Sequence, residues 1–570
     1  MSDNARLKVV LCWHMHQPEY RDLTSGDYQL PWTYLHAIKD YVDMVEHLES
    51  VPKARAVVNF VPILLEQIDD YARQVSGHLN QTGTIKDPLL RLLDAPVMPA
   101  DIHLRKRAIK ECLRVNRATV VNRFEAYRKL AEIADWMNGQ AYAMHYISDQ
   151  FLVDMVVWYH LAWLGEYVRR KDARVKRLIE KGQGFTVHDR HELMQVIGEL
   201  LAGLLARYRA LHKRGQIELS MTPYAHPIAP LLLSLDSTRE AMPDVQLPLL
   251  EKYPGGEERL RRHIEHGRKV FEQYFGFSPA GCWPAEGAVS TQALQVFDEA
   301  GFKWVATGAS VLRHTLHKGS IDFDAQMCKG PHQAYRIQGQ KVNCFFRDDG
   351  LSDLIGFSYS NWHADDAVAN LAHHLENIAH ACKDHPGTVV SVILDGENAW
   401  EYYPENAYYF LSALYRRLAE HPLLELTTFS DCIEQGLLVS ELNGLVAGSW
   451  VYGTFSTWIG DPDKNRGWDM LGDAKRCYDK VIATGKLSPE RRALAEQQLF
   501  VCEGSDWFWW FGDYNPADSV SDFERMFRMH LAHLYELLGV EPPEYLTHSF
   551  THGGGAPAMG GAMRPGQMPS

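Results

Sequence analysis

The sequence has no CxxC pair, no long apolar run and a deficit of positive charge, and each shortage closes off a class of protein. The nine cysteines (Cys12, Cys112, Cys282, Cys328, Cys344, Cys382, Cys432, Cys477 and Cys502) are odd in number and lack metal-knuckle spacing. They read as reduced, mostly buried thiols of a cytoplasmic protein, neither a disulfide frame nor a zinc site. Lys and Arg total 58 against 72 Asp and Glu, a net charge of −14. That balance offers no broad attraction to nucleic acid or to an anionic membrane. The N-terminal MSDNARLKVVLCWH shows no cleavage site for export. The most apolar helical stretch, Phe151 to Leu164, is broken by Asp154 and His160 and is too short to span a bilayer. No GxGxxG follows the first strand, which removes the dinucleotide fingerprint.

What is present suits a large α/β enzyme. The 570 residues are 46% hydrophobic, ample for one big domain with an elaboration or for two to three domains. Fifteen Trp and 26 Tyr supply flat faces that suit sugar rings but equally fill cores. Thr388 to Trp400 (TVVSVILDGENAW) reads as a buried parallel strand ending on Asp395, the end at which α/β enzymes place their chemistry. Further strands are expected at Leu7 to Trp13, Ala56 to Phe60, Gln216 to Thr222, Ala280 to Trp283, Lys303 to Thr307, Lys341 to Phe346 and Leu426 to Phe429. Helical segments separate them, so the pattern predicts a parallel α/β barrel in residues 1–435. A helical block over about 68–214 is too long for one crossover and reads as an insertion that roofs the site. Residues 436–546 read as a helical C-terminal domain. The tail 547–570, rich in Gly, Pro and Met, reads as disordered.

Polar residues follow the predicted strands: His14, His16, His226, Glu286, Arg347, Asp353 and Asp395. In an extended segment His14 and His16 point the same way and could bind a metal or sugar hydroxyls. Glu286 and Asp395 form the economical pair. Cleaving or transferring a glycosidic bond with retention needs two carboxyl groups about 5–5.5 Å apart, one attacking the anomeric carbon and one protonating the leaving oxygen. One must be ionised and the other raised in pKa, and Trp283 or Trp400 beside a carboxyl group would raise it. In the C-terminal half, Asp506 beside Trp507 could orient and stack a sugar.

His14-Met-His-Gln-Pro18 resembles the HxHQP opening of glycoside hydrolase family 57. Gly281-Cys-Trp-Pro-Ala-Glu286 is similar to its nucleophile segment, and Leu394-Asp-Gly-Glu-Asn398 to its acid/base segment. Gly215 to Glu218 with Thr222 to Pro227, and Glu503 to Trp507, match further stretches, so the resemblance spans roughly Leu7 to Leu538. It implies an incomplete (β/α)7 barrel followed by an α-helical domain that completes the cleft. It implies retaining cleavage or transfer of α-glucan linkages, with α-1,4 expected and the preference between α-1,4 and α-1,6 left open, without a metal or other cofactor. Glu286 becomes the nucleophile and Asp395 the acid/base. Trp450, Trp458 and Asp461 tie the chain to the α-amylase and amylopullulanase-like branch, and 4-α-glucanotransferases are relatives. Without an export signal, the expected substrate is intracellular glycogen or maltodextrin. Two alternatives stay open: a metal-dependent deacetylase or mannosidase-like enzyme that uses His14, His16 and an Asp, and a silent glycan-binding protein.

Overall fold

The computed structural model describes residues 6–555 apart from 141, 322, 324–327, 329 and 386. Ten strands run through it: β1 (Leu7–Met15), β2 (Ala56–Phe60), β3 (Ile217–Met221), β4 (Gly281–Cys282), β5 (Trp304–Gly308), β6 (Ala334–Ile337), β7 (Asn343–Arg347), β8 (Val389–Asp395), β9 (Leu424–Leu426) and β10 (Val439–Leu442). Seven of them form a parallel ring in the order β1-β2-β3-β4-β5-β7-β8. The ring closes where β8 returns to β1 and is stitched by the pairing of Arg347 with Ser391. This is the expected barrel of seven strands, one short of the eightfold form. β1 and β8 are apolar on both faces because one face fills the barrel and the other meets the helical layer. The lumen is packed, with Val10, Cys12, Val57, Trp283, Trp304, Phe345, Ile393 and Phe429 in one cluster. β4 is short, and it passes Trp304 so closely that a Cβ on Gly281 would lie 1.8 Å from that ring.

Two strands escape the sequence pattern. β6 runs antiparallel to β7, and β10 pairs parallel with β6, at the outer edge of the sheet. Both are four residues long, and β10 is only half-buried, so neither carries a strong apolar signal. The expected strand at Leu426 to Phe429 lies slightly earlier, as β9 on the first residues of β1.

The helical block comprises several helices, of which Pro62–Leu79 and Val187–Lys213 pack on each other in the outer layer. The segments between reach over the barrel mouth. Thr119 Oγ1 donates to the Glu401 carbonyl at 2.5 Å, and Arg170 pairs with Glu405, both on the segment after β8. Arg114 meets Asp522 of the helix Ala517–Leu538 at 3.0 Å. That helix packs with Pro462–Ala483 and Pro489–Cys502 in the C-terminal region.

The cysteine expectation needs correction. Cys328 and Cys382 are joined in a disulfide, with Cα atoms 5.5 Å apart across 54 positions of sequence. An odd total and missing CxxC pairs exclude local frameworks only; cysteines this distant meet through the fold. The other seven are free thiols. The tail departs too: Thr551 Oγ1 donates to Asp463 at 2.7 Å and accepts the Gly512 N–H at 3.0 Å, so the chain stays docked through residue 555. Residues 556–570 of the expected tail lie outside the described residues. Among the described residues, no helix is long and apolar enough to cross a membrane.

Candidate active site

Register brings three polar tips to one level of the barrel rim. His14 of β1 lies opposite Asn59 of β2 on one side and Asp395 of β8 on the other. Asn59 Nδ2 donates to Ser220 Oγ at 3.0 Å, which turns Asn59 Oδ1 toward His14 Nδ1 at 2.8 Å. That network places the His14 proton on Nδ1 and leaves Nε2 facing His226 Nε2, 3.1 Å away. His16, just past the end of β1, stacks on His226 with ring centroids 3.8 Å apart, and its Nε2 lies 2.8 Å from Asp506 Oδ1. His226 Nδ1 meets Ser505 Oγ at 2.8 Å. His226 holds φ 61°, a left-handed conformation that costs a β-substituted residue about 1 kcal/mol or more. Burial and the neighbouring imidazoles favour the neutral forms of His14 and His226: His14 is pulled down to about 3 by burial and then by His16, and His226 well below the usual histidine range by burial and both neighbours. Neutral imidazoles with one nitrogen fixed suit hydroxyl recognition.

Glu286 follows β4 in a short turn and is also left-handed, at φ 58°. Trp450 holds it twice: its main-chain N–H donates to the Glu286 carbonyl at 3.1 Å, and Nε1 donates to Oε2 at 2.9 Å. This close approach needs Gly308, where a Cβ would lie 2.8 Å from Trp450 Cα. Asp395 ends β8, and Asn398 Nδ2 donates to its Oδ2 at 2.9 Å. Glu286 lies within the field of Asp395. Burial and then the field of Asp395 push Glu286 well above the usual carboxylate range, against the Trp450 bond. Burial raises Asp395 too, while Asn398, His16 and Arg347 pull it back. Burial thus works against ionisation of both carboxyl groups, and at Glu286 the field of Asp395 adds to it.

The remaining predicted residues divide sharply. Arg347 is buried beneath the rim, donating to the Ile393 carbonyl at 2.8 Å and pairing with Asp349 at 2.9 Å and Asp353 at 2.6 Å. Its guanidinium lies 5.6 Å from the Trp450 ring centroid. Asp353 thus meets the site through Arg347. Trp283 is fully buried behind the pair, 5.1 Å from Trp450 and 6.2 Å from His14 between ring centroids. Three tryptophans and one acid expected to contact sugar belong to the scaffold. Trp400 is buried against Trp13 and donates to the Gly396 carbonyl at 2.8 Å. Trp458 is buried and its carbonyl accepts from Trp468. Trp507 is buried among Phe523, Phe527 and His530. Asp461 caps the helix Pro462–Ala483, accepting the Asp463 N–H at 2.8 Å. A Trp-rich segment and a lone Asp before a helix each carry a core or cap reading that wins here. Sequence reasoning passed over Asn59, Ser505, Asn398 and Glu397. Asn59 had a signal: it is the one polar residue in a strand that is otherwise apolar.

His16, His226 and Asp506 each offer a ligand atom within 4.8 Å of the others, a donor set that suits a divalent cation.

The model of glycosyl hydrolase family 57 matches residues 10–441. Solved structures share the fold at low identity. The branching enzyme of that family from Pyrococcus horikoshii is 15% identical with a TM-score of 0.54, over 95% of this chain and 98% of that one. The α-amylase AmyC from Thermotoga maritima is 14% identical with a TM-score of 0.56, over 94% and 93%. The 4-α-glucanotransferase from Thermococcus litoralis is 14% identical with a TM-score of 0.51, over 93% and 60%. No curated protein matches the sequence.

Proposed function

Since the chain belongs to glycosyl hydrolase family 57, we propose that it is a retaining glycoside hydrolase or transglycosylase acting on α-glucans such as glycogen, starch or maltodextrin. The observation that supports this reading is the field of Asp395 at Glu286, more than a hundred positions away in sequence, with Glu286 just after β4 and Asp395 at the end of β8. Branching-enzyme, amylase and glucanotransferase neighbours support the substrate class. Glu286 is the nucleophile and Asp395 the acid/base in the expected double displacement. A sugar in the cleft offers Asp395 a glycosidic oxygen to protonate, and positive charge developing at the anomeric carbon favours an ionised Glu286, whose carboxylate the Trp450 Nε1–H steadies. After the leaving group departs, Asp395 takes a proton from water or from a second sugar hydroxyl, which attacks the glycosyl-enzyme. His14, His16, His226 and Asp506 hold hydroxyls of the reacting ring.

The test is direct. Glu286→Gln and Asp395→Asn each abolish turnover of maltooligosaccharides and leave the fold intact. Azide added to Glu286→Ala would yield a glycosyl azide of inverted configuration. Full activity in either single variant would end the assignment. Incubation with maltotriose separates the two outcomes, since transfer yields longer oligomers and hydrolysis yields glucose and maltose.

A second reading rests on the His16, His226 and Asp506 donor set, which could hold Zn²⁺ in a metal-dependent deacetylase or mannosidase-like enzyme. Metal analysis of the purified protein, followed by assay after chelation, decides it: activity that tracks bound zinc favours this reading over the first.

A further inference from the structure

The loop after Asp395 holds another carboxyl group that the reaction above leaves idle. Glu397 is 2% exposed. Its Oε1 accepts the main-chain N–H of His16 at 3.3 Å and Gln17 Nε2 at 3.4 Å. Its Oε2 is buried and has no hydrogen-bond partner among the described residues. The neighbours that act on it are themselves acidic, Asp395 and Asp40, and the phenol of Tyr41, also buried without a partner, feels its field. A carboxylate so placed has little to offset its lost hydration. Burial and then Asp395 accordingly push its carboxyl well above the ordinary value.

The segments it joins are the two that carry the site. Gly396 N–H donates to the His14 carbonyl at 2.7 Å, and a Cβ on Gly396 would lie 2.2 Å from Met15 Sδ, so 395–397 lies flush on 14–17. Tyr20 Oη donates to Gln17 Oε1 at 2.9 Å and holds Gln17 in place to reach Glu397. The loop bearing Asp395 and the segment bearing His14 and His16 are thus fastened side by side.

We propose that Glu397 is a positioning residue for the Glu286–Asp395 pair: through its hydrogen bonds to His16 and Gln17, it locks the acid/base loop to the segment that aims His16 at Asp506 and His226. The inference rests on the functional reading above. Its test compares wild type, Glu397→Gln and Glu397→Ala for kcat and KM on a maltooligosaccharide. The His16 imidazole resonance, assigned by its loss in His16→Gln, is followed in the same proteins. An amide offers the same acceptor to His16 and Gln17, so Glu397→Gln stays within about threefold of wild type and leaves the His16 resonance in place. Glu397→Ala, folded by circular dichroism, loses about tenfold or more in kcat with KM nearly unchanged, and the His16 resonance moves. A folded Glu397→Ala with wild-type kcat and resonance overturns the inference, as does a Glu397→Gln protein as impaired as the alanine variant. Should Glu397→Ala not fold, the glutamine variant decides alone by the same criteria. Wild type inactive on every α-glucan would strike the functional reading instead, while the resonance still reports on the clamp.

Discussion

Trp450→Phe removes one hydrogen bond from the proposed nucleophile and little else. The main-chain bond from residue 450 to the Glu286 carbonyl persists, and a phenyl ring still packs on Trp283. What goes is Nε1–H to Oε2, at 2.9 Å the one side-chain interaction that favours the ionised form of Glu286. A hydrogen bond to a charged group contributes about 1.5–3 kcal/mol. The ionised form accepts the bond more strongly than the neutral one, so its loss raises the Glu286 pKa by up to about one to two units at about 1.36 kcal/mol per unit. The nucleophile must be ionised to attack, so the acidic limb of kcat/KM moves to higher pH by the same amount. At a fixed pH on that limb, turnover falls by up to about 10–100-fold and recovers as the pH rises. Initial rates on a maltooligosaccharide across the acid-to-neutral range read this directly. A limb that stays put, or a loss that is uniform at every pH, would refute the reasoning. The first outcome means that the indole does not set the nucleophile's ionisation; the second means that Trp450 acts by shape.

Two further outcomes concern the scaffold. Glu503 is buried among Arg259, His263 and Tyr253; burial alone would raise it, but Arg259 and His263 hold it at about 2 against an ordinary 4.5. A depressed carboxyl contributes stability that is fully present above pH 4.5 and is lost as the pH falls through 2, here on the order of 3 kcal/mol. Glu503→Gln should be less stable at neutral pH and should lose this part of the acid unfolding profile by circular dichroism; an unchanged profile would contradict it. Trp400→Ala should cost about 3–5 kcal/mol of stability in urea unfolding, because it opens a cavity beside Trp13 and orphans the Gly396 carbonyl. If Trp400 were instead a sugar platform, the loss would fall on KM and stability would be spared.

The barrel was legible because its strands are short β-branched runs that stop on polar residues, and period and punctuation both survive in sequence. Leu7 to Trp13 and Thr388 to Leu394 announce buried parallel strands, and the structure sets them side by side with His14 opposite Asp395. β6 and β10 escaped because strands of four residues outside the barrel ring are too short to show such a pattern. The disulfide escaped for a different reason: pairing is a property of distance in space, and Cys328 and Cys382 carry no local mark.

Aromatic residues show where sequence reading fails in principle. Trp400, Trp450, Trp458 and Trp507 all look alike as sugar contacts in sequence, yet of these four only Trp450 donates to Glu286. The difference lies in what lies across from each ring, and that comes from other elements: Trp13 for Trp400, Trp509 for Trp458, Phe523 and Phe527 for Trp507. The same holds for charge. A motif can name Glu286 and Asp395, but whether the proton rests on one or the other depends on burial, on one indole N–H and on the fields of His16 and Arg347, each delivered by a different segment. The bond from Trp450 to Glu286 makes one of these contributions measurable, because Trp450→Phe removes it and leaves burial and the field of Asp395 in place.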